Sequence, residues 1–189
     1  GCAVIIVYDK LYGEAVKTGV EWANTEYILT MDADGQHTLD QAELLYAAAK
    51  LTKADLMIGE RRGERRQFKR FLGSTCLNIL ACIFSGRWVV DLNSGMRVFR
   101  RVLANRYKEI LCDDFSYTTS LVMSFLTDNH VVEWFPIKVY PRTSGRTHVK
   151  RKHAFICIWQ IIKIGTALRT RRLREKIRAL RGKRESNIC

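Results

Sequence analysis

The stretch Tyr27–His37, YILTMDADGQH, decides the fold. Its first half is an apolar run of strand length, and its second half is a polar turn carrying two carboxylates, Asp32 and Asp34. Acidic residues directly after a buried strand belong at the carboxyl edge of an α/β sheet, where open sheets of this kind place their ligands. In a tight turn the two side chains can converge on one hard cation, Mg2+ or Mn2+, which takes oxygen ligands and keeps positions for phosphate oxygens. Gln36 can add an amide oxygen. The plain alternative is a turn that feeds negative charge to the next helix. A calcium-hand loop counted from Asp32 would find oxygen side chains at Asp34, Gln36, Thr38, Asp40 and Glu43. It would also need a glycine where His37 stands and a helix where YILTM reads as a strand.

Outward from this turn, strands alternate with helices. Ala3–Tyr8 (AVIIVY) reads as a strand buried on both faces, and Gly13–Ala23 as a helix. Thr38 and Gln41 form a candidate capping box for a helix whose buried stripe is Leu39, Ala42, Leu45 and Ala49. Asp55–Gly59 is a third strand. Strands separated by helical patterns mean βαβ units and a mostly parallel sheet flanked by helices. Arg61–Arg70 is a basic segment, followed by a helix from about Phe71 to Phe84 and a loop and strand over 91–100. Helices are expected over Arg101–Leu111 and Ser116–Thr127. Val131–Tyr140 reads as an edge strand, because Pro136 cannot donate to a ladder. Arg142–Lys152 is a loop, and Ala154–Leu168 and Arg172–Leu180 read as two helices.

The 189 residues carry a formal net charge of +13, distributed unevenly. Residues 1–141 hold equal numbers of basic and acidic side chains, whereas 142–189 hold 15 Lys/Arg against Glu175 and Glu185. A neutral body with a cationic tail calls for an anionic partner surface. Nucleic acid fits poorly, since no aromatic residue interleaves the basic ones between Arg169 and Arg184. A membrane surface fits better: AFICIWQIIKI at 154–164 reads as an interfacial helix preceding a polybasic anchor to anionic lipid. No apolar run reaches the roughly 18 residues of a membrane span. The six cysteines are scattered, with no CxxC, which argues for a reducing compartment over a disulfide framework or zinc site.

Four blocks in order carry a family resemblance: YGEAVKTGVEWANTEYILTMDADGQH (12–37), DLMIGERR (55–62), DLNSGMRVFRR (91–101) and YPRTSGRTHVK (140–150). Together they span about three quarters of the chain. The sequence resembles a family 2 glycosyltransferase of the GT-A fold. It looks most like the branch of dolichol-phosphate mannose synthase and bacterial polyprenyl-phosphate glycosyltransferases. That resemblance implies that Asp32 and Asp34, with Gln36, hold the divalent metal that bridges a nucleotide-sugar diphosphate. It also implies an acceptor-phosphate grip by Arg61, Arg70, Ser74 and Arg142. Ser94, Gly95 and Arg97 would then line the donor diphosphate, and Asp91 would contact sugar hydroxyls as a catalytic residue. Where the family has Ser-Lys in the loop opened by Arg142, this chain has Thr147 and His148, which loses a fixed positive charge. Asp113 and Asp114 lie where related enzymes carry a catalytic acid, and would otherwise cap the helix at 116–127.

The expectation is therefore a GT-A domain over residues 1–150, with an amphipathic and polybasic membrane-surface tail over 151–189. It would transfer a sugar with inversion from a GDP- or UDP-sugar to a polyprenyl phosphate, peripheral on the cytoplasmic face of the membrane. A hydroxyl acceptor on a polysaccharide or lipopolysaccharide would demand a base such as Asp114. A non-catalytic, basic-tailed binding module is the alternative from outside enzymes. Family members begin with a further strand–helix–strand, so the resemblance also implies an N-terminally incomplete domain whose uncovered sheet edge favours self-association.

Overall fold

The computed structural model describes residues 11–62, 68–92, 94–140 and 151–186. The strand expected at Ala3–Tyr8 and the loop opened by Arg142 lie outside the described residues. In chain order the elements are α1 (Tyr12–Trp22), β1 (Tyr27–Thr30), α2 (Leu39–Thr52), β2 (Leu56–Arg62) and α3 (Phe68–Ser85). Then come β3 (Arg97–Arg100), α4 (Arg101–Arg106), α5 (Tyr117–Thr127), β4 (Val132–Lys138) and α6 (Arg151–Ser186).

The four strands form one sheet in the order β1-β3-β2-β4. β3 is antiparallel to both β1 and β2, and β2 is parallel to β4. β1, β2 and β4 thus run the same way and β3 alone runs against them, giving a mixed α/β sheet. Periodicity carries no information about strand direction, so the reversal of β3 was not visible in the sequence. β4 lies at an edge as expected, with Pro136 opposite Glu60, and β1 lies at the other edge of the described sheet.

The alternation of side chains along the strands builds two cores. Leu56, Ile58 and Phe99 face one side, where α3, α4, α5 and α6 pack. Met57 and Val98 face the other, against Ala42, Leu45 and Ala49 of α2. Leu39 does not join that stripe: it is 72% exposed, because it opens the helix at the rim. Thr38 caps α2 as expected, its side chain accepting from the Gln41 N–H at 3.4 Å, but the Gln41 Oε1 is buried without a partner, so the reciprocal half of the box is missing. α5 is buried almost all round. Ser120 and Ser124 donate back to the carbonyls of Tyr117 and Ser120 at 2.8 Å, and Thr119 donates to the Cys157 Sγ of α6 at 3.5 Å.

The two helices expected at the C-terminus are one, α6, whose 36 residues extend about 54 Å. Its Cys157, Ile161, Ile164 and Leu168 are buried in the core formed with α3 and α5. Most of the apolar stripe read as interfacial therefore packs on the domain itself, which leaves Phe155 and Trp159 exposed on the outside. The buried face of α6 from Cys157 to Leu168 thus shares a core with α3 and α5. Among the described residues no helix is long and apolar enough to cross a membrane.

Candidate active site

The carboxyl end of β1, the carboxyl end of β2 and the start of β3 meet at one edge of the sheet, since Arg97 pairs in register with Thr30 on one side and Ile58 on the other. Asp32, Arg61, Asp91, Gly95 and Arg97 are brought together there from positions up to 65 residues apart.

The acidic turn is built locally. Gly35 takes φ +79°, a left-handed conformation that glycine adopts without steric cost. The Asp34 Oδ1 accepts the Gln36 N–H at 3.2 Å, which closes the turn. Gln36 also fastens the turn to the chain just past β4. Its carbonyl accepts the Tyr140 N–H at 3.1 Å, and its side-chain amide donates to the Tyr140 carbonyl at 3.4 Å. Gly95 lies against Asp32: a Cβ at this position would come within 2.0 Å of the Asp32 Oδ2. Ser94 is buried and its Oγ accepts the Met96 N–H at 3.4 Å, which shapes the backbone that brings Gly95 so close.

The basic side of the site is also fixed. Arg61 donates to Asp91 through Nε at 2.8 Å and Nη2 at 2.9 Å, a bidentate fork, and its backbone N–H points at the same carboxylate at 3.4 Å. The two residues, read from the sequence as parts of the acceptor and donor sides, are thus one pair. Arg97 is 1% exposed and donates from Nη2 to the Leu92 carbonyl at 2.9 Å, while its Nε–H has no hydrogen-bond partner. Burial pushes the Arg97 pKa down, and the nearby Tyr12, Asp91 and Asp32 oppose that shift. The side chains of Arg70 and Ser74, on α3, and the whole of Arg142, Thr147 and His148 lie outside the described residues.

Three further residues belong to the site and were not singled out in the sequence. Tyr12, at the start of α1, is half-buried and electrostatically coupled to Arg97 and Asp32, with its pKa raised chiefly by burial. His37 is half-buried with its Nδ1 unpartnered; burial lowers its pKa, and Asp32 and Asp34 pull the other way. Tyr140 holds the turn as described. Tyr12, His37 and Tyr140 all lie inside the quoted blocks, but only their contacts reveal their part.

Asp113 and Asp114 are engaged elsewhere. Asp113 pairs with Lys17 at 2.6 Å, and the Asp114 Oδ1 accepts the Ser116 N–H at 2.7 Å just ahead of α5. Asp114 thus stands at the start of α5, as the capping alternative has it, whereas Asp113 ties to α1 through Lys17 and does not cap α5.

A divalent cation fits the turn. Asp32 and Asp34 are hard oxygen donors, and among the described residues no group of three His, Cys, Asp or Glu side chains is arranged to hold a metal alone. A cation held by these two carboxylates would take its remaining ligands from substrate oxygens and water. The close approach at Gly95 keeps side-chain bulk away from the Asp32 carboxylate.

Comparison with known proteins bears on the fold and the family. The chain is 25% identical over 150 residues to the low-salt glycan biosynthesis hexosyltransferase Agl6 of Haloferax volcanii, a match covering 75% of this chain and 36% of that protein. It is 30% identical over 101 residues to an uncharacterized protein of Methanocaldococcus jannaschii, covering 49% and 42% respectively. The chain thus spans about two fifths of the length of these curated relatives. Among solved structures, glucosyl-3-phosphoglycerate synthase from Mycobacterium tuberculosis, in complex with Mn2+, UDP and phosphoglyceric acid, superposes with a TM-score of 0.57 at 14% identity, covering 86% of this chain and 55% of that one. Mannosyl-3-phosphoglycerate synthase from Rubrobacter xylanophilus gives 0.57 at 14% identity, covering 89% and 53%. At such identity these likenesses speak to the fold, which is the GT-A-like α/β fold expected from the sequence. The model of glycosyl transferase family 2 matches residues 8–107, more than half of the sequence, and the chain belongs to that family.

Proposed function

We propose that the chain carries the catalytic site of a metal-dependent, inverting hexosyltransferase that moves a sugar from a nucleotide-sugar to a polyprenyl phosphate at the cytoplasmic face of a membrane. The observation that carries the proposal is the Asp32/Asp34 turn, held against Gly95 beside Arg97 and the Arg61–Asp91 pair. Solved relatives in the same fold hold Mn2+ together with UDP-glucose, in keeping with a UDP- or GDP-sugar donor and a Mg2+ or Mn2+ cofactor here.

In this reading the anomeric carbon–oxygen bond to the diphosphate breaks as a new bond forms to an acceptor phosphate oxygen on the opposite face. A divalent ion, when bound, neutralises the charge that gathers on the departing diphosphate. Asp32 and Asp34 would hold that ion, and Arg97 would add positive potential from a dry site where it acts strongly. Asp91, oriented by the Arg61 fork, would receive hydrogen bonds from sugar hydroxyls. A phosphate acceptor fits because it brings its own anionic oxygen and asks for no base. The two carboxylates best placed by sequence for that task, Asp113 and Asp114, are occupied by Lys17 and the Ser116 N–H.

The membrane reading is supported by the 15 basic residues of 142–189 and by the exposed Phe155 and Trp159 of α6. A second reading, a soluble phosphorylated acceptor, is favoured by the solved relatives that hold phosphoglyceric acid. The test is transfer of labelled hexose from GDP-mannose and UDP-glucose, with Mn2+, to undecaprenyl phosphate, dolichyl phosphate or 3-phosphoglycerate. Label in the organic phase, lost in Asp34→Asn, is the expected result. Label confined to an aqueous phosphoglycerate product would replace the lipid acceptor with the second reading, and no transfer to any acceptor would overturn both.

A further inference from the structure

A groove of about 270 Å³ runs between α6 and the segment that follows α4, at the opposite end of β3 from Asp32. Its apolar floor is the buried Ile164 and Leu168, with the exposed Ile110 and Ala167 on its two walls, and its rim carries three exposed cations, Arg106, Lys163 and Arg171, against one acid, Glu109. Arg106 lies over the Tyr107 ring and approaches Asp128 at 3.9 Å, which holds it at the rim. A trough that is greasy below and cationic above complements an amphiphile with an anionic head. Neither a sugar nor a free nucleotide offers that combination.

A second observation comes from α6. Positions 159, 163, 167 and 171 follow one another at intervals of four, so Trp159, Lys163, Ala167 and Arg171 form a ridge along one side of the helix. Trp159 is 62% exposed at the end of that ridge, and tryptophan is the side chain that settles at the boundary between headgroups and hydrocarbon. The same helix continues through the arginine-rich stretch to Ser186.

We infer that this groove seats the headgroup phosphate and upper acyl segment of an anionic phospholipid, with Arg106, Lys163 and Arg171 around the phosphate. It would add a short-range, specific contact to the long-range attraction of the basic tail. The inference rests on the membrane-surface reading above, and salt separates the two. Attraction between a basic tail and an anionic bilayer is screened once the Debye length falls to about 4 Å near 0.5 M salt. A lipid lodged on an apolar floor stays bound.

The experiment is sedimentation of the full chain with vesicles of phosphatidylglycerol and phosphatidylcholine in equal parts, and of phosphatidylcholine alone, at low and high salt. Ala167→Glu places a carboxylate on the α6 wall of the groove. Thr166→Glu makes the same charge change one position away, and both positions are exposed on α6. Ile110→Gln alters the opposite wall without relying on α6. At high salt, Ala167→Glu and Ile110→Gln should each weaken phosphatidylglycerol-dependent binding about tenfold, and Thr166→Glu less than about twofold. Equal losses in the two glutamate variants, or no salt-resistant binding by the unsubstituted chain, would overturn the groove. So would a dimer dispersed by Ala167→Glu with vesicle binding unchanged, which would give the groove to a second copy. Replacing Arg181, Lys183 and Arg184 by Gln should reduce binding at low salt only. If it changes nothing there, the electrostatic reading of the tail fails while the groove stands or falls on its own variants.

Discussion

Gly95 and Asp32 are in contact: the hydrogen side of Gly95 faces the Asp32 carboxylate so closely that a methyl group there would come within 2.0 Å of Oδ2. The two positions are 63 residues apart in the chain, and β1 and β3 bring them together by pairing Thr30 with Arg97. The contact ties the geometry of the acidic turn to the loop that precedes β3.

Gly95→Ala should therefore displace the Asp32 carboxylate while leaving the fold in place, because the obstructing atoms are the end of a side chain that can turn outward. Calorimetric titration with UDP or GDP and Mn2+ should show affinity reduced at least about tenfold, with Tm shifted by no more than about 3 °C. Unchanged metal-dependent affinity would mean that Asp32 does not act from the position it holds beside Gly95.

The Arg61–Asp91 pair is enclosed, with side-chain exposures of 23% and 5%. Removing one member of a buried pair strands the other charge, at a cost of about 3 kcal/mol. Asp91→Leu should lower stability by that order in urea unfolding, and Arg61→Met with Asp91→Leu should recover most of it. A double variant as unstable as the single one would show that the pair adds stability beyond relieving its own desolvation.

At Gly165, α6 passes close to α3: a Cβ there would lie 2.8 Å from the Phe84 Cβ and 3.1 Å from its carbonyl oxygen. Neither neighbour is the free end of a flexible side chain, so the helices must part. Gly165→Ala should cost about 1–3 kcal/mol despite its higher helix propensity. A gain in stability would imply that α6 is not packed on α3 in solution.

Burial pushes the Cys112 thiol up from its ordinary 9.0 to about 11. At pH 8 it remains protonated and unreactive, while Cys76 is exposed. Alkylation at pH 8 followed by peptide mapping should modify Cys76 and leave Cys112 intact until denaturant is added. The unfolded thiol ionises first as pH rises, so this group withdraws stability between pH 9 and about 11 and contributes nothing below. Equal labelling of the two cysteines in the native protein would contradict the packing around Cys112.

Much of this protein is legible in one dimension because local chemistry is local. The apolar run before Asp32 makes β1, Thr38 caps α2, Ala42, Leu45 and Ala49 face inward at helical spacing, and Gly35 lets the acidic turn close. Pro136 marks an edge strand before any sheet is seen. The errors have equally local causes. Leu39 sits on the right helical face but at the rim, and the basic and apolar halves of α6 differ so sharply in composition that one helix reads as two.

The sequence by itself determined the order of helices and strands from α1 to β4, the acidic turn at the end of β1, and the charge imbalance of the tail, since each depends on neighbours within a few residues. Tertiary structure decided the rest. Strand order and the reversal of β3 depend on pairings that periodicity does not encode. The fork between Arg61 and Asp91, the seat of Asp32 on Gly95 and the fastening of Gln36 to Tyr140 join residues 30, 63 and 104 positions apart. The inner face of α6 looked like a membrane surface because an apolar stripe is the same whether it meets lipid or protein. Only the presence of α3 and α5 beneath it distinguishes the two.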